Sequence, residues 1–176
     1  MSLNFFTLLQ LPETFVIDLK KLDQNYQNIQ KEIHPDRFAS LADEAKIVSI
    51  KKTAEVNDAY QTLKSPIRRA EYLLHLYDID IHDEKYNAVP QDFLMQQMEW
   101  REALDDCKAL KDTGAKIVAL EILLEQVDAS HAQALARAAH LMDADHNYAA
   151  AVGQVRALMF IEKFAHEVQH GLDACT

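Results

Sequence analysis

Few residues in this chain combine types and spacings that could do chemistry. His34, Pro35 and Asp36 set an imidazole and a carboxylate on either side of a proline, which fixes its own φ and drives the preceding residue out of the helical region. The resulting turn is stiff and suited to presenting both side chains. As an acid–base pair it lacks a pocket to tune a pKa or exclude water. On its own the tripeptide reads better as a helix terminator followed by a cap, and only its context favours recognition. His166 and His170 stand one helical turn apart after Glu162, a spacing that can ligate a metal. Exposed histidines near a helix C-terminus, complementing its dipole, account for the same pattern. Cys107 and Cys175 have no zinc or disulfide spacing, so Cys107 reads as a small buried hydrophobe and a reducing compartment is expected. With Gly114, Gly153 and Gly171 as the only glycines, neither a G-x-x-x-x-G-K nor a G-x-G-x-x-G phosphate loop can be written. No catalytic triad is supported, no cofactor is expected and no metal site is assigned. A metal-handling or hydrolytic enzyme using His34, Asp36 or the His166/His170 pair stands as the alternative to a binding protein.

The elements that position these residues are punctuated by Pro12, Pro35, Pro66 and Pro90, each of which removes a backbone donor and clashes with a preceding helical turn. Asp18 can cap a helix carrying Leu19, Leu22, Tyr26, Ile29 and Ile33 and ending at His34-Pro35. A second helix starts near Asp43, carries Ile47, Ile50, Ala54, Ala59, Tyr60 and Leu63, and stops before Ser65-Pro66. A short helix follows over 67–77, and the linker is placed at 76–91. Three further helical patterns cover about 92–112, 114–142 and 146–170. The turns between them are short, which makes neighbours antiparallel and predicts a three-helix bundle. Ile117, Leu120, Leu124, Val127, His131, Leu135, Ala138 and Leu141 form the stripe of the middle helix; Ala151, Val155, Leu158, Ile161, Ala165 and Val168 form that of the last. No period-two alternation between turn signals predicts a strand. The fold expected is all-α, with boundaries 1–75, 76–91 and 92–176.

The helix after Pro90 carries two faces. At 100° per residue, Phe93, Trp100, Leu104 and Cys107 share an arc of about 60° and make a core stripe. Leu94, Met95 and Met98 occupy another arc, about 100° wide, which Glu99, Glu102 and Asp106 continue. An apolar patch bordered by carboxylates on a non-core face is the expected form of a partner-binding surface, with methionine supplying adaptable contacts. A broad core covering both arcs remains the alternative. In the last helix Phe160 and Phe164 fall opposite the stripe, so one of them is expected at the surface.

Length and composition set the class. The chain has 176 residues, 49% hydrophobic and 26% charged, a globular mix that excludes extensive disorder. Net charge is -10, and all of it falls after His75. A strongly acidic second half disfavours nucleic-acid phosphate and favours a partner with basic patches. No basic residue precedes Lys20 and charges interrupt every apolar run, so neither a signal peptide nor a membrane span is expected and the chain reads as cytoplasmic.

A helix ending at His34-Pro35-Asp36-Arg37-Phe38, then a loop and a helix ending in Asn57-Asp58-Ala59-Tyr60-Gln61-Thr62-Leu63, resembles the J-domain. Phe5-Phe6-Thr7-Leu8-Leu9-Gln10-Leu11-Pro12 looks like its short first helix. Ser65-Pro66-Ile67-Arg68-Arg69-Ala70-Glu71-Tyr72-Leu73-Leu74 and Phe93-Leu94-Met95 narrow the resemblance to the HscB family, the J-domain co-chaperones of iron-sulfur cluster assembly. The likeness covers essentially the whole chain. It implies that His34, Pro35 and Asp36, with Lys20, Lys21 and Lys31 of the helix before them, bind a DnaK-class heat-shock chaperone and stimulate its ATPase. It implies equally that Leu94, Met95, Met98, Glu99, Glu102, Asp106 and Phe160 bind the iron-sulfur scaffold protein and deliver it to that chaperone. A J-domain whose bundle serves another client differs from this reading only in the partner.

Overall fold

A computed structural model of the chain describes residues 4–33, 43–86 and 91–175. The expected recognition loop at His34, Pro35 and Asp36 lies outside the described residues. Among those described, helices α1 (Phe5–Leu8), α2 (Leu19–Ile33), α3 (Asp43–Lys64), α4 (Pro66–Leu76), α5 (Gln91–Ala109), α6 (Thr113–Ala139) and α7 (Tyr148–Asp173) account for the architecture, and no strand occurs. The all-α class follows. The chain divides into two compact units, Met1–Tyr77 and Asp78–Thr176.

In the first unit α2 and α3 form a helical hairpin with a ladder of side chains between them. Tyr26 stacks on Tyr60 at 4.0 Å between ring centroids, its hydroxyl donates to Asn57 Oδ1 at 2.9 Å, and Tyr60 donates to Asp23 Oδ1 at 2.8 Å. Leu22, Val56, Ala59 and Leu63 are buried beneath this ladder with Phe6, Leu9 and Phe15 from the N-terminal segment. Phe5 stacks on Tyr72 of α4, and its backbone N–H donates to the Tyr72 hydroxyl at 2.9 Å, which seats α1. Ser65 caps α4 with Pro66 in its first turn, where the missing N–H costs nothing.

The sequence periodicity of α3 points to the wrong face. Ile47 and Ile50, expected in the core, are 53% and 58% exposed, whereas Ser49 is buried. The core line runs through Ser49, Val56, Ala59 and Leu63. The polar Ser49 is accepted there because its hydroxyl donates to the carbonyl of Ile33 at 2.6 Å, so burial leaves no donor unpaired. Leu19, expected on the apolar stripe of α2, is likewise exposed.

In the second unit α6 and α7 pair along their length, and α5 packs against both. Asp112 caps α6 and Asn147 caps α7, each accepting from a backbone N–H three residues on. The turn expected at Asp143-Ala144-Asp145 is a π-helical turn, His140–Ala144, closed by Asn147 N–H to Leu141 O at 2.8 Å. The buried line of α6 is Leu120, Leu123, Val127, Ala134 and Ala138; Ile117, Leu124, His131, Leu135 and Leu141 of the expected stripe are half-buried at its edge. In α7 Ala151, Val155, Leu158, Ile161 and Val168 are buried as expected, and Phe164 with them. The buried arc is wider than the stripe because α7 packs against both α6 and α5. Among the described residues no helix is long and apolar enough to cross a membrane.

Candidate partner-binding sites

The first candidate site begins where α2 ends. The described part of α2 ends at Ile33, whose carbonyl accepts from the Ser49 hydroxyl of α3 at 2.6 Å. The root of the His34 segment is therefore tied to α3. On α2, Lys20, Lys21 and Lys31 are exposed. Lys20 and Lys31 lie about 20° apart around the helix, and the exposed Gln24 and Gln27 continue the same stripe between them. Lys20 and Lys21 donate their backbone N–H groups to Asp18 Oδ1, which relieves the first turn of its orphan donors. Asp23, an acid that could oppose this stripe, instead accepts from Tyr60 and lies 3.6 Å from Lys64.

The second candidate site is the outer face of α5. Leu94, Met95 and Met98 are 49%, 58% and 73% exposed, and Glu99, Glu102 and Asp106 are exposed beside them. The inner face of the same helix buries Phe93, Trp100, Leu104 and Cys107. The two arcs are thus separate surfaces, and the alternative of one broad core fails. The inner face docks on α7 through an aromatic column: Phe93 meets Phe160 edge-on at 5.8 Å, Trp100 stacks on Phe164 at 5.6 Å, and Phe160 stacks on Phe164 at 6.0 Å.

Phe160 is half-buried in this column and not a free surface group. It reaches the outer face through Arg101, whose guanidinium lies 5.8 Å from the Phe160 and Phe164 rings and pairs with Glu167 at 3.3 Å. Leu94, Gln97, Met98 and Arg101 line one open groove on that face. Met95 and Glu99 turn the other way, into a cleft of about 360 Å³ against Gln133 and Arg137 of α6. Sequence reasoning missed Arg101, although the wheel places it beside Leu94, because a lone cation next to an apolar arc reads as solubility charge.

Other candidates are engaged elsewhere. Glu162 Oε1 lies 3.6 Å from His131 Nε2 on α6 and lines the same pocket as His166. Among the described residues no group of three or more His, Cys, Asp or Glu is placed to hold a metal. Burial, then the neighbouring Asp106 carboxylate, push the Cys107 thiol above its ordinary pKa, which withholds the reactive thiolate. Cys175 donates to the Gly171 carbonyl at 3.2 Å.

An all-helical chain with an exposed apolar, acid-bordered helix face offers a surface of the kind that binds other proteins, and the relatives that it matches are co-chaperones. A family model described as the HscB C-terminal oligomerisation domain matches residues 89–169. The co-chaperone protein HscB homologue of Paraburkholderia phymatum is 42% identical over 169 residues, covering 95% of this chain and 94% of that protein. The homologue of Cupriavidus taiwanensis is 41% identical, covering 97% and 94%. Among solved structures, the chaperone HscB from Vibrio cholerae superposes with a TM-score of 0.85 at 36% identity, covering 99% of this chain and all of that one. Human co-chaperone protein HscB gives 0.81 at 25% identity over 96% of this chain and 82% of its own. This chain belongs to the HscB co-chaperone family. It is a co-chaperone and not an enzyme, which sets aside the metal-handling and hydrolytic alternative. The activity implied by the sequence resemblance, stimulating the ATPase of a DnaK-class chaperone and delivering the iron-sulfur scaffold to it, is the function of that family.

Proposed function

We propose that the two units divide this activity by site. Residues 1–75 act as the J-domain: His34, Pro35 and Asp36 engage a DnaK-class chaperone specialised for iron-sulfur assembly, and Lys20, Lys21 and Lys31 of α2 steer the encounter. The proline lowers the ordering entropy lost on docking, and Asp36 offers its carboxylate to an arginine fork. Residues 92–176 hold the iron-sulfur scaffold on Leu94, Met95, Met98, Glu99, Glu102, Asp106 and Phe160, with 76–91 joining the two parts. The setting is the cytoplasm.

The observation that carries this reading is the apolar face of α5, left exposed by a fold that buries the opposite face of the same helix. Large exposed apolar side chains rimmed by carboxylates fit a partner with an apolar centre and basic surroundings. The apolar residues supply affinity and the acids supply rate and register. The test is steady-state ATP hydrolysis by the chaperone with this protein and the scaffold added separately and together. Stimulation that requires His34 and grows with scaffold present is the expected result. Absence of stimulation by every such chaperone would return the His34 loop to a helix terminator.

A further inference from the structure

Helices α5 and α6 each turn a polar row toward one cleft. Asp92, Gln96 and Glu99 follow at spacings of four and three on α5, and Ser130, Gln133 and Arg137 at three and four on α6, so each row shares a helix face. The two rows line the cleft of about 360 Å³ that Met95 also enters, with Phe93 and Ile161 buried at its floor. Ser130 donates to Gln96 Oε1 at 3.3 Å and links the two rows. The cleft is therefore continuous with the exposed face of α5 through Met95 and Glu99.

The fold leaves the charges of this cleft unused. Among the described residues Arg137 is the one cation lining it, and the side chains of Arg137, Gln133, Gln154 and Glu99 make no hydrogen bond or ion pair. Arg101 and Lys108, by contrast, both pair with Glu167 at 3.3 Å. Asp92 stands in the first turn of α5, where the free N–H groups of the helix end already favour a carboxylate. An unpaired guanidinium flanked by two free amides suits a carboxylate ligand, which it can hold through a fork of two hydrogen bonds. Because the short turn runs α5 and α6 antiparallel, the Ser130–Gln96 contact puts Arg137 and Glu99 toward opposite ends. Seven residues of rise one way and three the other separate them by roughly 15 Å along the cleft. About four or five residues of extended chain cover that distance.

We propose that the α5–α6 cleft is a second part of the scaffold-binding surface and takes a short extended segment of the scaffold, whose acidic side chain pairs with Arg137 and whose basic side chain pairs with Glu99; this rests on the function proposed above. The outer face of α5 supplies apolar contact, and the cleft fixes the direction in which the scaffold lies. Scaffold binding is titrated by calorimetry with the full chain, comparing wild type, Arg137→Lys, Arg137→Gln, Arg137→Glu and Met98→Ala. Arg137 is exposed, so its variants are expected to keep the wild-type melting temperature. Affinity should fall in the order given for the Arg137 series, by about tenfold or more for Arg137→Glu, the scale of breaking a close charge pair at an interface. Arg137→Lys keeps the charge and loses the fork, and so falls least. The general field of this acidic unit has the opposite effect, since one more carboxylate would tighten binding of a basic partner. An affinity unchanged or raised in Arg137→Glu, with Met98→Ala weakened in the same assay, overturns the cleft and leaves the proposed function standing. A wild-type chain that neither binds scaffold nor stimulates the chaperone overturns both. A sedimenting dimer of the chain that dissociates in Arg137→Glu would overturn the scaffold as occupant and assign the cleft to self-association.

Discussion

Met98 is 73% exposed, so truncating it removes contact area with a partner and little packing within the chain. Met98→Ala is expected to weaken scaffold binding by about 1–2 kcal/mol in titration calorimetry and to leave the melting temperature unchanged; an unaltered affinity would remove Met98 from the site. Phe160→Ala should behave differently. Its ring is held between Phe93 and Phe164 under Arg101, so the same substitution lowers both scaffold affinity and thermal stability. The helical wheel sets Phe160 and Phe164 on one anomalous arc and cannot separate them, since their difference arises from a neighbouring helix and not from phase. Tyr72 gives a stability test at this scale. Burial raises its phenol above the ordinary value, outweighing the Phe5 N–H that would favour the phenolate. A raised folded-state pKa means that the contribution is complete below the ordinary phenol value and is lost as pH climbs through the folded one. Thermal melts above about pH 10 should therefore fall more steeply for wild type than for Tyr72→Phe, and parallel curves would exclude Tyr72 as the cause.

Helix identities were legible because local signals decide them: prolines at 12, 35, 66 and 90 delimit elements, and capping side chains such as Asp18, Ser65 and Asp112 satisfy orphan N–H groups. Helix phase was less legible. In α3 the misleading residues are Ile47 and Ile50, apolar yet exposed, while the polar Ser49 is buried against a carbonyl sixteen positions away in sequence. The segment expected as a linker shows the same limit. Ile81 is buried, and Arg156 of α7 donates to the carbonyls of Ile81, Asp83 and Tyr86, the last at 2.9 Å. No local pattern announces a partner some seventy positions away. Arg156→Ala would strip the charged donor from three carbonyls at once, at a cost of about 1.5–3 kcal/mol for each charge-assisted bond made in full. The expected outcome is faster amide exchange at Asp83 and Tyr86, with helix α6 remaining protected. Unchanged exchange at those amides would mean that the segment is held by Ile81 burial alone.

At the scale of the molecule the charge is unequal: ten basic and ten acidic residues in Met1–Tyr77, eight and eighteen in Asp78–Thr176. The field around the second unit is therefore negative and reaches outward over roughly one Debye length, about 8 Å at physiological salt. Under the proposed division of labour this field draws in a scaffold with basic surroundings, whereas recognition of the chaperone belongs to a unit of balanced charge. The two encounters should then separate cleanly. Raising salt from about 0.05 to 0.5 M is expected to slow scaffold association about tenfold, with a much smaller change in dissociation, because charge at an interface rim acts mainly on the encounter. His34→Gln should leave that salt dependence and the scaffold affinity intact while abolishing ATPase stimulation. Stopped-flow association and the ATPase assay on the same preparations decide the point. If His34→Gln lost both activities together, the recognition residues would form one coupled surface and the assignment of separate partners to the two units would fall.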